Sequence, residues 1–536
     1  MNALTGTGTL IRLALRRDRV LMPLWIFYVV LIAAVFVEAF NGAYPTAEAR
    51  QAYYETSIHS RAFIFAYGAL NGSSLGEMIA WRTGVLPCMV AVFALLTVIR
   101  HTRTEEEAGR RELVGATAVS RHADLAAALI VTCGAGLVVG LLSALALIAQ
   151  GLPIAGSLAL GLGFWIAGCV FAAVGAVVAQ LTTGAGGARM IAIVVLAVAI
   201  MLRGVGDIAA QSGDGPAWVS WLTPLGWVEA LRPYGGERWW VLALAAVAVA
   251  ALTAQAVALS GRRDLGGGLL PARLGPAAAE PGLRSPLALA WRLHRGPMVG
   301  RTAGLALVGL AGGAMTQSLG ELMNNSGPGA REALARIGGP GSLAEQFLVP
   351  LMTVLGLVCA IFAIQGTLLL RNEERDGRAE PLLATPVDRL RWAGAHLFLT
   401  LLGSALGLAA FGAAAGLAHG LNSGDVAREL PRLLTAALVQ LPAVWVFTGL
   451  AFALFGLLPR LVAGAFAVLT VSMLAGFIGL ELQLDEWVAK LSVFEHLPKL
   501  PGGDLAVPPL ILMTAVAAAL IVIGLTGLRR RDMPAS

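Results

Sequence analysis

Twelve long apolar stretches constrain this 536-residue chain more than any motif in it. They lie near residues 20–40, 84–100, 123–149, 154–181, 190–206, 239–260, 301–317, 347–370, 393–418, 433–458, 461–481 and 506–527. About 20 largely apolar residues suffice to cross the hydrocarbon core of a bilayer as a helix, and a helix satisfies its own backbone there. Charge argues against burying these stretches in soluble domains. Only 13% of the residues are charged, where soluble domains carry about 25%; 57% are hydrophobic and the mean hydropathy is +0.77. The expectation is an all-α polytopic membrane protein with twelve transmembrane helices, which excludes a soluble enzyme, a disordered chain and a secreted disulfide scaffold. Cys88, Cys133, Cys169 and Cys359 lie in apolar runs without CxxC spacing and read as inert core thiols.

The basic residues set a topology. Met1 to Arg19 runs into a full-length apolar span without a small-residue cleavage site, so the first span is expected to stay. With the N-terminus inside, 25 Lys and Arg fall in cytoplasmic segments and 12 in outer ones, with Arg301 at a boundary. Both termini are therefore expected in the cytoplasm. Only Lys490 and Lys499 among 38 basic residues are lysine, a bias that points to a high-GC genome and a bacterial plasma (inner) membrane. The formal charge of +6 does not suggest nucleic acid, because the arginines are spread around spans and form no aromatic-interleaved patch.

The chain also repeats itself. Arg103-Thr-Glu-Glu-Glu-Ala-Gly-Arg-Arg-Glu112 is answered by Arg371-Asn-Glu-Glu-Arg-Asp-Gly-Arg-Ala-Glu380, an offset of 268, half the chain. In the same register Thr117, Val119 and Arg121 match Thr385, Val387 and Arg389; Ser74, Leu75 and Glu77 match Ser342, Leu343 and Glu345; and Arg262-Arg-Asp264 matches Arg530-Arg-Asp532. Two six-span halves in parallel orientation follow, residues 1–260 and 287–536, related by a pseudo-twofold along the membrane normal. The join, 261–286, is a cytoplasmic linker broken by Pro271, Pro276, Pro281 and Pro286.

Span interiors offer little chemistry. No carboxylate falls well inside one: Glu38, Asp207 and Glu481 sit at outer ends, Asp124 and Glu429 near boundaries, and His396 is the one ionisable side chain inside. Ion-coupled transporters usually carry such groups, so a proton-coupled secondary transporter, with His396 as its relay, is the alternative rather than the leading reading. Neither lysine stands in a P-loop, so the chain is not expected to hydrolyse ATP. Gly6-Thr-Gly8 and Gly184-Ala-Gly-Gly187 follow no strand and read as turns or interface positions rather than phosphate sites. No Ser/His/Asp set, HExxH or paired carboxylates mark an enzyme or a metal site.

The duplicated loops are the strongest polar feature. Glu105, Gly109 and Glu112, like Glu373, Gly377 and Glu380, stand at i, i+4 and i+7, so a helix would put them on one face with glycine permitting close approach. Thr385-Pro386 reads as a helix start with Thr as N-cap, and Thr117 repeats that cap. The loops are either solvated turns or docking surfaces. Arg12, Arg16 and Arg19 form a stripe opposite Ile11, Ala14 and Leu15, suiting an interfacial helix under anionic lipid, with a counterpart at Leu289-Ala-Trp-Arg292. On the outer side Trp218, Trp221, Trp227, Trp239 and Trp240 crowd around Thr223-Pro-Leu-Gly226, as an aromatic belt or a gate, with only Trp487 in the second half.

With Glu-Glu-x-x-Gly-Arg-x-Glu before Thr-x-Val-x-Arg, and Arg-Arg-Asp after the sixth span, both in two copies, the chain resembles permeases of type-2 ABC exporters. Its fused form, with Thr223-Pro-Leu-Gly-Trp227 and Arg232-Pro233, resembles tetronasin-type antibiotic and multidrug exporters. The resemblance implies coupling helices that dock on a separate ATPase through Glu105, Glu106, Gly109, Arg110, Glu112 and Arg121, and through Glu373, Glu374, Gly377, Arg378, Glu380 and Arg389. It implies two copies of a soluble P-loop ATPase holding ATP and Mg, no cofactor in this chain, and export of a hydrophobic or amphiphilic small molecule by alternating access. Leu113 faces Pro381 and Ala118 faces Pro386 in the repeat, so the two docking sites need not be equivalent. The substrate-binding residues are not legible.

Overall fold

The computed structural model describes residues 4–213, 215–270, 278, 281–324, 342–481, 487 and 490–531. Among these every regular element is helical. Eleven helices among the described residues are long and apolar enough to cross a membrane, and a shorter apolar stretch, Gly464–Gly476, stands at the expected span 461–481. The protein is an all-α, multi-pass membrane protein. Contacts divide it into two compact units, Met1–Gly275 and Pro276–Asn324 with Pro328–Ser536. Of the linker prolines, Pro271 and Pro276 lie outside the described residues, Pro281 opens the short turn Pro281–Leu283, and Pro286 opens a long helix.

The first unit runs through the short helix Thr7–Arg17 and the spans Leu21–Ala43, Leu86–His101, Ala123–Ala149, Ile154–Leu181, Ala185–Ser212 and Trp240–Gly261. A prelude, Leu75–Arg82, leads into the second of these. Its capping box, Ser74 with Glu77, is repeated by Ser342 with Glu345 at the head of Leu343–Arg375, so the internal repeat reaches down to a helix start. The other spans of the second unit are Pro286–Asn324, Arg389–Ser423, Val426–Leu438 continued by Leu441–Leu457, and Val507–Arg530.

The two units bury their spans alike. The apolar window of Ile154–Leu181 is 78% buried and that of its counterpart, Val426–Leu457, 67%; the last spans, Trp240–Gly261 and Val507–Arg530, are only 17% and 22% buried, as lipid-facing helices should be. Small residues allow the close crossings. A Cβ on Gly140 would collide with the Gly161 carbonyl and the reverse, and one on Gly456 would collide with the Gly524 carbonyl. Without a hydrophobic drive between helices in lipid, such backbone approach is what packing relies on.

Two expectations about spans change. Residues 289–292 are not a separate interfacial helix: they begin the 39-residue helix Pro286–Asn324, which continues through Pro297. At 1.5 Å per residue it is about 58 Å long and outreaches a hydrocarbon core of about 30 Å. His294 and Arg301 therefore belong to a spanning helix, and His396 is not alone: His294 Nε2 lies 3.0 Å from His396 Nδ1, both buried. Asp207, expected at the outer end of its span, lies in the last turns of a helix and is buried. The helix Ala185–Ser212 carries past it and buries it beside Arg203, whose guanidinium meets Glu229 at 2.7 Å, Asp207 at 3.6 Å and the Phe65 carbonyl. Burial is tolerated because these charges are paired.

Candidate functional site

Glycine decides the shape of the polar loops. Gly109 has φ +70° and Gly377 φ +71°, the left-handed region in which glycine closes a helix without Cβ strain. Each loop is therefore a pair of short pieces around a turn. In the first unit these are Arg103–Glu107 and Arg110–Gly115; in the second, the end of Leu343–Arg375 and Ala379–Leu383. The single helical face expected for Glu105, Gly109 and Glu112, and for Glu373, Gly377 and Glu380, does not form. The threonines are also corrected. Thr117 and Thr385 donate their hydroxyls backward, to the carbonyls of Val114 at 2.6 Å and Leu382 at 2.5 Å, and the helix after the second loop is capped by Asp388, whose carboxylate accepts from the Leu390 amide.

Around each turn the charges sort into three layers. Glu105 grips Arg110 through two contacts of 2.8 Å, and Glu373 grips Arg378 at 2.9 Å, so these pairs staple the turn shut. The carboxylate raises the pKa of Arg110; burial opposes the same effect at Arg378, but Glu373 and Asp376 prevail. Inward of the staple, Glu106 is buried. It accepts from Arg263 at 2.6 and 2.8 Å, from the Gly266 amide at 2.7 Å and from Arg111 at 3.2 Å. Its repeat partner Glu374 accepts from Arg531 at 2.8 Å. Arg121 donates to the carbonyls of Ser260 and Arg263, both at 2.7 Å, and Arg389 to that of Arg531 at 2.8 Å, where cations suit the end of a helix. Outermost are Glu112 and Glu380, both exposed, flanked by Leu113 at 74% exposure and the exposed Pro381.

The residues assigned to one contact thus have different stations. Glu112 and Glu380 can meet a partner; Glu106, Glu374, Arg121 and Arg389 face the end of the sixth span; Gly109, Gly377 and the Glu105–Arg110 and Glu373–Arg378 pairs shape the turn. In the first unit the loop is also tied to its surroundings by Arg17–Glu105 at 2.5 Å, Arg111–Asp124 at 2.8 Å, and the Ala185 amide donating to Glu107 at 2.9 Å. That last bond shows what fills the helix start at Gly184: a protein carboxylate. Gly6, at φ +88°, is the N-cap of Thr7–Arg17 and packs on Val119, while the Ser120 amide donates to the Thr5 carbonyl; Gly184 likewise precedes Ala185–Ser212, so each glycine cluster opens a helix rather than forming a turn of its own.

Arg12 and Arg16 are exposed on the helix Thr7–Arg17, but Arg19 falls in the turn beyond it, and Ala14 is buried against the unit's own core. The stripe is shorter than expected and part of its apolar side faces protein. Asp18, which sequence reasoning passed over, is buried and holds His101 at 2.5 Å and Arg100 at 2.7 Å. At the opposite end, Trp221 stacks on Trp240 with centroids 5.6 Å apart and Trp227 donates to the Trp221 carbonyl at 2.6 Å. Trp218, Trp239 and Trp240 are exposed at 64%, 43% and 56%, which suits rings at a membrane boundary; Trp487 is exposed too.

Sequence reasoning also missed Arg263 and Arg531 as partners of the loops. The signal was present, since the repeated Arg-Arg-Asp shares the loops' offset. It missed the Arg203–Asp207–Glu229 cluster, whose signal is an arginine and an aspartate one turn apart in an apolar helix.

A family of known proteins matches this chain over residues 8–260 and 283–529; it is described as multidrug efflux system permease Rv1217c, C-terminal domain. The multidrug efflux system permease protein Rv1217c of Mycobacterium tuberculosis (strain ATCC 25618 / H37Rv) is 42% identical over 530 residues, covering 99% of this chain and 95% of its own. The matched segments take in both polar loops and both sets of spans, as the resemblance to ABC-type permeases implies. The chain therefore belongs to the multidrug efflux system permease Rv1217c family.

Proposed function

We propose that this chain is the membrane-spanning subunit of an ATP-driven exporter of hydrophobic or amphiphilic, drug-like small molecules, energised by two copies of a separate P-loop ATPase. The observation that carries the reading is the duplicated loop: in each unit a glycine turn, stapled by an internal ion pair, presents an exposed glutamate, Glu112 or Glu380, on a base held by buried charge. A bare solvated turn has no use for that base. The relative's name, a multidrug efflux permease, supports the direction and class of cargo.

In this reading residues 1–260 and 287–536 are two six-span halves joined by 261–286, both termini and both loops are cytoplasmic, and the membrane is the bacterial plasma membrane. Closure of the ATPase pair pushes the loops, and substrate taken from the inner leaflet is released outward. Glu112, Glu380 and the apolar side chains beside them supply the contact. Because Leu113 answers Pro381 and Arg111 answers Ala379, the two contacts differ in detail. The exposed tryptophans and the Thr7–Arg17 helix hold the protein at the membrane boundaries.

The experiment is Glu112→Gln combined with Glu380→Gln. Efflux should fall and ATPase recovery with the complex should drop, while the amount of inserted protein stays the same. Unchanged efflux would sink the docking assignment. A second reading, proton-coupled efflux, is favoured by one observation, the buried His294–His396 contact; it requires efflux that follows a proton gradient in ATP-depleted cells.

A further inference from the structure

The loop of the first unit is joined to four neighbours: the N-terminal helix by Arg17–Glu105, the third span by Arg111–Asp124, the fifth by Glu107 and the Ala185 amide, and the segment closing the sixth by Glu106–Arg263. Three of these joins have no counterpart chemistry. At the repeat offset Arg17, Arg111, Asp124 and Glu107 become Ser285, Ala379, Trp392 and Arg375. The join to the sixth span survives in both units. Glu106 with Arg263 and Glu374 with Arg531 each link residues 157 apart. The same arginines offer their backbone carbonyls to Arg121 and Arg389.

These pairs are enclosed. The side chains of Glu106 and Arg263 are 3% and 5% exposed, and those of Glu374 and Arg531 10% and 16%. Sequestering a carboxylate is unfavourable unless its partner is held in good geometry, and a turn alone does not need it. Arg263 is further fixed by Gln180 at the end of the fourth span, at 2.8 Å, and Arg531 lies over the Phe455 ring at 5.3 Å.

We propose that Glu106–Arg263 and Glu374–Arg531 are clasps that oblige the sixth span of each unit to move with its loop, so that a displacement of the loop reaches the sixth span as well as the second and third, which it connects. The inference rests on the reading that the loops receive the stroke of an ATPase. Glu106 and Glu374 are then positioning residues that transmit the stroke, and the contact with the partner belongs to Glu112 and Glu380.

The test uses spin labels on the full chain, purified from its native host with Cys88, Cys133, Cys169 and Cys359 replaced. Labels at Ala384 and Ile523 report the clasp of the second unit. Labels at Leu406 and Ile523 report movement of its sixth span against its third. With ADP and vanadate, the 406–523 distance should shift in the parent protein. The shift should be lost in Glu374→Arg while ATP hydrolysis persists, and regained when Arg531→Glu is added, a recovery that a misfolded variant could not give. A shift retained in Glu374→Arg overturns the clasp. So does a 384–523 distribution that Glu374→Arg leaves unaltered, a comparison that needs no ATPase. Absence of any ATPase from the parent preparation instead counts against the reading of the loops.

Discussion

At the scale of single residues, acidic side chains seven positions or fewer apart do opposite work. Glu106 and Glu112 are equally acidic in the sequence, yet one is buried among three arginines and the other is exposed. Removing one partner of a buried pair costs about 3–5 kcal/mol, whereas exposed substitutions stay within about 0.5 kcal/mol. Glu106→Ala should therefore lower the apparent melting temperature in mild detergent sharply, and Glu112→Gln should leave it in place; equal effects would contradict the layering. Gly109→Ala and Gly377→Ala meet no neighbouring atom, so their cost is backbone strain alone, about 1–2 kcal/mol, readable in the same melts. The loops were legible as polar, duplicated features, but their internal geometry was not. A charged run has no apolar period to distinguish a continuous helix from a glycine turn, and spacing at i, i+4 and i+7 fitted the wrong one.

At the scale of elements, the spans were legible because hydropathy reports directly on the solvent that surrounds them. Failures came where charge interrupts a helix without ending it. Arg292, Arg295 and Pro297 lower the hydropathy of 286–300, so in sequence the long helix Pro286–Asn324 looks like a basic stripe followed by a later span. Asp207 marks the outer end of the apolar stretch 190–206, whereas the helix continues to Ser212. The break at 439–440, which divides Val426–Leu438 from Leu441–Leu457, has no sequence mark beyond Pro442. The buried cluster in Ala185–Ser212 gives a test at this scale. Arg203→Leu strands Asp207 and Glu229 and should destabilise the protein by about 3–5 kcal/mol, while Arg203→Leu with Asp207→Leu and Glu229→Leu should recover most of it, because an apolar replacement of a whole buried network is often neutral. A triple variant less stable than the single one would mean the cluster is needed for more than mutual neutralisation.

At the scale of the whole molecule, a repeat with an offset of 268 residues organises capping boxes, glycine turns, staples and the joins to the sixth span, while the charges around that frame differ between units. The repeat was the most informative feature of the sequence because it shows which interactions come in pairs. Efflux driven as proposed should survive His396→Phe and an ionophore that collapses the proton gradient, and should stop when ATP is depleted; the reverse pattern would favour the histidine pair. The most direct measurement is purification of the tagged chain in mild detergent from its native host, with identification of co-eluting soluble proteins and assay of ATP hydrolysis. A stoichiometric P-loop ATPase should co-elute, and its retention and activity should fall when Glu112 and Glu380 are both changed to glutamine. A chain that purifies alone, and moves substrate under a proton gradient once reconstituted, would contradict the ATP-driven reading.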